Sequence, residues 1–225
     1  MIKSKFWKSI IEDERFKLKE GYPDFNLGTI SVICLCIILL IIVTFTKFNL
    51  PVLNLFSPYD AYRGENATFL SNFSYIAQVP AVFFIAALLG PIAGMLTIFL
   101  YILAGLVGLP VFSSGGGVSY FLKPGFGYLL GFFPAVFFVS NIMKNKKIKY
   151  RLVKATLAGL ICVHFVGVIY LTILMFFQGE QLFLILSWFW LLTGMQFLYD
   201  FIFGIIAIIL GRIMRKVLSI VTDWN

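Results

Sequence analysis

The chain is 225 residues long, 60% hydrophobic and only 12% charged, with a formal net charge of +8. Its mean hydropathy is +0.97. Water-soluble domains lie far from that composition, so a soluble enzyme or nucleic-acid-binding domain is excluded, and the excess of cations reads as basic flanks of membrane helices.

Met1 to Asn26 carries Lys3, Lys5, Lys8, Arg15, Lys17 and Lys19 among Phe6, Trp7, Ile10, Ile11 and Phe16. It reads as a cytoplasmic surface segment (residues 1–26) ahead of a single transmembrane domain (residues 27–225). Six apolar runs follow: Leu27 to Phe45, Tyr75 to Leu89, Ile92 to Leu109, Phe126 to Asn141, Val153 to Phe177, and Leu182 to Gly211. Asn49 to Phe73 is expected to be a polar connection containing Pro51, Pro58 and Gly64. Gly90-Pro91 turns the second run directly into the third. Leu109 to Gly125 is a long, Gly-rich and partly aromatic connection, expected to fold back as a substrate loop rather than to be disordered. The expected fold class is all-α, six transmembrane helices with this loop between helices three and four.

Charge orients the bundle. Lys144, Lys146, Lys147, Lys149, Arg151 and Lys154 separate runs four and five, and Arg212, Arg215 and Lys216 follow run six. With six crossings these segments share a side with the N-terminal cations, whereas Lys47, Arg63 and Lys123 fall opposite. The positive-inside rule therefore predicts both termini in the cytoplasm and the Gly-rich loop outside. Small residues four apart (Gly90 and Gly94, Ala104 and Gly108, Ala155 and Gly159, Ala207 and Gly211) are candidates for close helix contacts.

Few polar groups interrupt the spans. Asp200 lies twelve residues before Arg212, His164 ten after Lys154, and Gln78 twelve before Gly90. At 1.5 Å per residue these become depths of roughly 18, 15 and 18 Å, near the middle of a hydrocarbon core of about 30 Å. The shared depth predicts one polar pocket open to the outer face. Asp200 is the only acid inside a span, and burying it costs roughly 2.5–3.5 kcal/mol on insertion scales, so it is expected to face a ligand or a partner. A His164–Asp200 pair that only pins two helices is the structural alternative. Gln78, beside Val79-Pro80, fits either a ligand contact or a local cap. Lys123 fits either an anion-attracting group beside the loop or a solvated lysine. There is no P-loop, H-E-x-x-H, G-x-S-x-G or Cys/His cluster, so neither a resident cofactor nor a metal is expected. Cys34, Cys36 and Cys162 lie in apolar runs, where they read as packing residues.

Leu88-Leu89-Gly90-Pro91, Leu100-Tyr101-Ile102-Leu103-Ala104-Gly105-Leu106-Val107-Gly108-Leu109-Pro110-Val111-Phe112, Gly115-Gly116-Gly117 and Gly127-Tyr128-Leu129-Leu130-Gly131-Phe132 together resemble the BioY family. That family comprises the biotin-binding S components of energy-coupling-factor (ECF) transporters. The resemblance covers spans two to six. It implies a cell-membrane, multi-pass vitamin-uptake protein, not an enzyme, working with a transmembrane coupling protein and cytoplasmic ATPase subunits. It also implies that Asp200 contacts the ureido ring of biotin. Ser114 and Gly115 to Gly117 would then orient the ligand and Tyr120 or Phe112 cover its ring, with Lys123, His164 and Gln78 as further substrate contacts. The chain departs from the family pattern after Asp200, where Phe203 replaces a lysine. A different vitamin-like substrate on the same scaffold therefore stays open, as does, more distantly, an intramembrane enzyme with His164 and Asp200 as an acid–base pair.

Overall fold

The computed structural model describes residues 27–53, 70–179 and 182–221; the expected surface segment and Arg63 lie outside them. In chain order the elements are α1 (Leu27–Phe45), β1 (Phe48–Leu53), β2 (Leu70–Tyr75), α2 (Gln78–Leu89), α3 (Pro91–Val107), a 3-10 turn (Val118–Leu122), α4 (Phe126–Lys144), α5 (Arg151–Phe177), α6 (Leu182–Phe189), a π turn (Trp190–Gly194) and α7 (Phe197–Val221). Among the described residues, four segments are long and apolar enough to cross a membrane: Leu27–Phe45, Phe126–Lys144, Arg151–Phe177 and Leu184–Ser219. The helices Gln78–Leu89 and Pro91–Val107 are apolar but shorter.

Two expectations need correction. The expected polar connection Asn49 to Phe73 begins and ends in an antiparallel hairpin, with Phe48 opposite Tyr75 and Leu53 opposite Leu70. Phe73 and Tyr75 are buried while Ser74 between them is exposed, the two-residue alternation of a half-buried strand. Tyr75 therefore ends a strand instead of starting a helix. The sixth run is not one regular helix either, because the π turn separates α6 from α7 and places Asp200 in the first turn of α7. Such local π geometry is frequent at functional sites.

Gly90 makes the turn between α2 and α3 by itself. Its φ of 83° and ψ of −172° are closed to residues with a Cβ. Its N–H closes α2 on the Ala86 carbonyl and its own carbonyl accepts the first bond of α3 from Gly94. Pro91 stands at the first helical position, where its missing N–H costs nothing. Pro80 likewise falls in the first turn of α2, and the Ile76 carbonyl beside it accepts a bond from the Gln78 N–H instead.

Buried residues on α1 (Thr29, Ile33, Cys36, Leu40, Thr44) recur every three or four positions, one stripe facing the bundle. The opposite face, with Leu35, Ile38 and Ile42, is exposed and apolar, as lipid requires. Helices α4 and α5 approach most closely. A methyl group at Gly131 would lie 2.8 Å from the Val163 Cα, and one at Gly167 2.5 Å from the Tyr128 ring. Of the four small-residue pairs, Ala155/Gly159 and Ala207/Gly211 lie in packed contacts, where a methyl group at Gly211 would stand 2.6 Å from the Phe84 carbonyl oxygen, and one at Gly94 would stand 2.8 Å from Val136. Gly108 instead ends α3 in a left-handed conformation, with nothing within 4 Å of its would-be Cβ.

Candidate functional site

The site is built where β2, α4, α5, the π turn and α7 converge. Asp200 is fully buried, and Tyr75 at the end of β2 donates to its Oδ1 at 2.7 Å. Its Oδ2 has no hydrogen-bond partner. His164 of α5 turns Nε2 toward that oxygen at 3.8 Å, too far for a hydrogen bond, so Nε2 is also left without one. The His164 ring is held between Tyr128 (centroids 5.9 Å apart) and Phe197 (5.5 Å). Its Nδ1 meets the Thr193 hydroxyl at 3.3 Å, and Tyr128 reaches the same hydroxyl at 2.8 Å.

A third buried polar atom without a partner, Trp190 Nε1, belongs to a ring packed on the cluster of Phe73, Tyr75 and Met195. Buried polar atoms are almost always satisfied, so two such atoms without partners 3.8 Å apart mark the pair as a candidate site. Chemically the arrangement offers a carboxyl oxygen and an imidazole nitrogen for hydrogen bonding within aromatic walls.

Those walls come from the hairpin and α7. Tyr75 lies 5.8 Å from Tyr199 and 5.6 Å from Phe203, ring centroid to centroid. Tyr199 donates to the carbonyl of Pro51 in β1. The hairpin thus covers the Asp200 side of the site, which was not expected from the sequence. Phe203, where a cation was expected from the family pattern, is an aromatic wall stacked on Tyr199.

The structure brings Asp200 and His164 together but sends Gln78 elsewhere. Gln78 Nε2 donates to Thr44 Oγ1 at 2.6 Å and to the Tyr101 hydroxyl at 3.2 Å. Thr44 passes its proton to the Leu40 carbonyl and Tyr101 passes its own to Val111 O. Both amide hydrogens of Gln78 are therefore used to tie α1, α2, α3 and the start of the Gly-rich segment together.

That segment folds tightly on α3. Gly117 N–H donates to the Gly105 carbonyl at 2.7 Å, and Phe112 and Gly115 exchange two backbone hydrogen bonds. The amides of Gly115 and Gly117 are thus already occupied. Phe112 is buried against Gly105 and stacks 4.4 Å from Tyr120, whose hydroxyl lies 3.4 Å from Ser113 Oγ. Tyr170 of α5 donates to the Phe121 carbonyl and holds the far end. Ser114 and Lys123 are exposed on this segment.

Sequence reasoning did not single out Tyr75, Tyr128, Trp190 or Thr193 as site residues. A signal was available: tyrosine and tryptophan inside apolar runs carry a donor that must find a partner.

A protein-family model described as the BioY family matches residues 66–220, from just before β2 almost to the end of α7. Over 99 residues the chain is 39% identical to a probable biotin transporter BioY of Lysinibacillus sphaericus, covering 43% of this chain and 50% of that protein. It is 28% identical over 145 residues to a probable biotin transporter BioY of Pyrococcus horikoshii, covering 64% and 74%. With the biotin transporter BioY of Lactococcus lactis subsp. cremoris it shares 33% over 104 residues, 43% and 55% of the two chains. The first of these relatives is thus matched over half of its length. The fold is similar to the solved structure of the S component for biotin from an ECF-type ABC transporter, with a TM-score of 0.60 and 24% identity over 84% of this chain and 90% of that one. With the family model matching all the elements that build the site, this membrane protein belongs to the BioY family.

Proposed function

We propose that the chain is the substrate-binding membrane component of an ECF-type vitamin uptake transporter and that its substrate is biotin. The observation that carries this reading is the open pair of polar atoms, Asp200 Oδ2 and His164 Nε2, buried among aromatic side chains in a member of the BioY family. Asp200 accepts hydrogen bonds from the ureido ring. Tyr120 and the Gly115–Gly117 segment form the outer cover, with Gly116 offering its remaining amide. Ser114 and Lys123, both exposed, meet the polar tail, and Gln78 acts through the helices it ties together. A coupling membrane protein and cytoplasmic ATPase subunits supply the energy.

The chain crosses the membrane six times with both termini in the cytoplasm, residues 27–225 forming one domain and residues 1–26 a surface segment. Supporting this, Arg212 on α7 reaches the carbonyl of Met143 at the end of α4 at 3.5 Å. Arg215 Nη1 lies 3.8 Å from where a Cβ on Gly90 would stand, so the basic ends and the α2–α3 turn share one end of the bundle. At 12 residues α2 spans only about 18 Å, and β2 supplies the remaining length of the second crossing.

A second reading keeps the transporter and changes the vitamin. It is favoured by Phe203, which puts an aromatic ring rather than a cation three residues beyond Asp200. The His164–Asp200 pair also faces a common space, as an acid–base enzyme would need, but the family is one of transporters. Calorimetric titration of the purified protein in detergent with biotin, beside a panel of other vitamins, decides between these readings. Saturable biotin binding that Asp200→Ala abolishes, in a variant that still inserts and folds, is the expected result. Binding of another vitamin in place of biotin would move the assignment to the second reading.

A further inference from the structure

Tyr128, Thr193 and His164 form a chain of three polar groups that biotin recognition by Asp200 alone does not use. The chain admits two orders of its protons, which differ in what they turn toward Asp200. Thr193 Oγ1 lies 2.8 Å from the Tyr128 hydroxyl and 3.3 Å from His164 Nδ1, and it has a single proton to give. If His164 Nδ1 held the ring proton, it would donate to Thr193 and Thr193 to Tyr128. The phenol proton would then have no acceptor, and the lone pair of Nε2 would face Asp200 Oδ2. The opposite order, Tyr128 to Thr193 to Nδ1, leaves Nε2–H as the proton outside the chain and aims it at an acceptor, Asp200 Oδ2.

We propose that this relay makes His164 and Asp200 a matched donor–acceptor pair that reads the adjacent N–H and C=O of a cyclic urea or lactam edge, with Nε2–H bonding the ligand carbonyl and Asp200 Oδ2 its neighbouring N–H. The inference deepens the biotin reading and rests on it. Spacing supports it. Bond lengths of about 1.23 and 1.33 Å put the N and O of one cis amide about 2.3 Å apart. The two protein atoms are 3.8 Å apart. With hydrogen bonds of ~2.9 Å, each bond then leans only about 15° outward from parallel.

At 3.8 Å the two residues do not hydrogen-bond each other, which leaves both atoms open to a third molecule. Tyr128 and Thr193 are positioning residues in this scheme. Tyr75, donating to Oδ1, turns the other carboxylate oxygen toward the ligand. A ligand presenting two donors or two acceptors along that edge would leave one buried group unpaired and be rejected.

The test combines titration with 15N spectra of histidine-labelled protein, which has a single histidine. The wild type is expected to bind biotin and dethiobiotin, which share the urea ring, and to show a neutral ring protonated at Nε2. Tyr128→Phe and Thr193→Val are expected to weaken both ligands at least about tenfold and to mix the two tautomers, whereas Thr193→Ser restores affinity and spectrum. His164→Gln, which keeps an N–H near the Nε2 position, should bind better than His164→Ala.

A wild-type ring protonated at Nδ1 overturns the relay, and this spectrum can be read whether or not the variants fold. Unchanged biotin affinity in Tyr128→Phe, Thr193→Val and His164→Ala overturns the inference alone and leaves the functional reading standing. A folded wild type that binds neither biotin nor dethiobiotin overturns both.

Discussion

Replacing Tyr75 by phenylalanine removes one oxygen from the centre of the site and little else. The ring keeps its neighbours, Phe73 at 6.1 Å, Tyr199 at 5.8 Å and Phe203 at 5.6 Å between centroids. The single loss is the 2.7 Å bond to Asp200 Oδ1. Because Asp200 is fully buried, water cannot replace the lost donor without opening the hairpin. A buried acceptor deprived of its partner costs about 1–3 kcal/mol, with the upper end appropriate to a carboxylate. For a chain of this length that corresponds to a fall in midpoint of roughly 2–4 °C per kcal/mol.

Thermal unfolding in detergent, followed by circular dichroism, measures the first effect and biotin titration the second. Affinity should fall as well, because the carboxylate is no longer held with Oδ2 facing His164. A double-mutant cycle isolates the bond. In an Asp200→Ala background Tyr75→Phe should cost far less, with a coupling of about 1–3 kcal/mol. Strict additivity, or Tyr75→Phe with unchanged midpoint and unchanged affinity, would refute the reading of Tyr75 as the group that holds Asp200.

Gln78→Leu should lower the thermal midpoint by leaving Thr44 and Tyr101 without the donor that faces them, while weakening biotin far less than Asp200→Ala does. Equal loss of biotin binding in the two variants would return Gln78 to the ligand pocket. Gly116→Ala tests the packing of the outer segment, since its methyl group would stand 2.1 Å from the Leu109 carbonyl oxygen and 2.9 Å from that of Gly105. Neither backbone atom can step aside cheaply, so the cost should be at or above the usual overpacking range of about 1–3 kcal/mol, and limited proteolysis should cut the segment between residues 109 and 125 faster.

Hydropathy is a local sum, and what depends on local sums was legible in the residues. The membrane class, most of the helices and the direct turn at Gly90-Pro91 all follow from runs of apolar side chains and their interruptions. What depends on distant pairing was not. Tyr75 meets Asp200 across 125 positions of chain, Tyr128 meets Thr193 across 65, and His164 meets Thr193 across 29. Counting residues gives Gln78 the same expected depth as Asp200, yet such a count leaves the angle around each helix undetermined, and its side chain turns toward Thr44 and Tyr101.

The hairpin escaped for a related reason. Its strands are six residues each, too short for alternation to stand out, and they pair only because their ends are brought together beside α7. The sequence by itself determined that an expensive carboxylate would be buried in a membrane bundle, because Asp200 stands within an apolar run long enough to cross a membrane. Tertiary structure decided which oxygen of that carboxylate is held and which is left open, since only packing chooses the partners of a buried group.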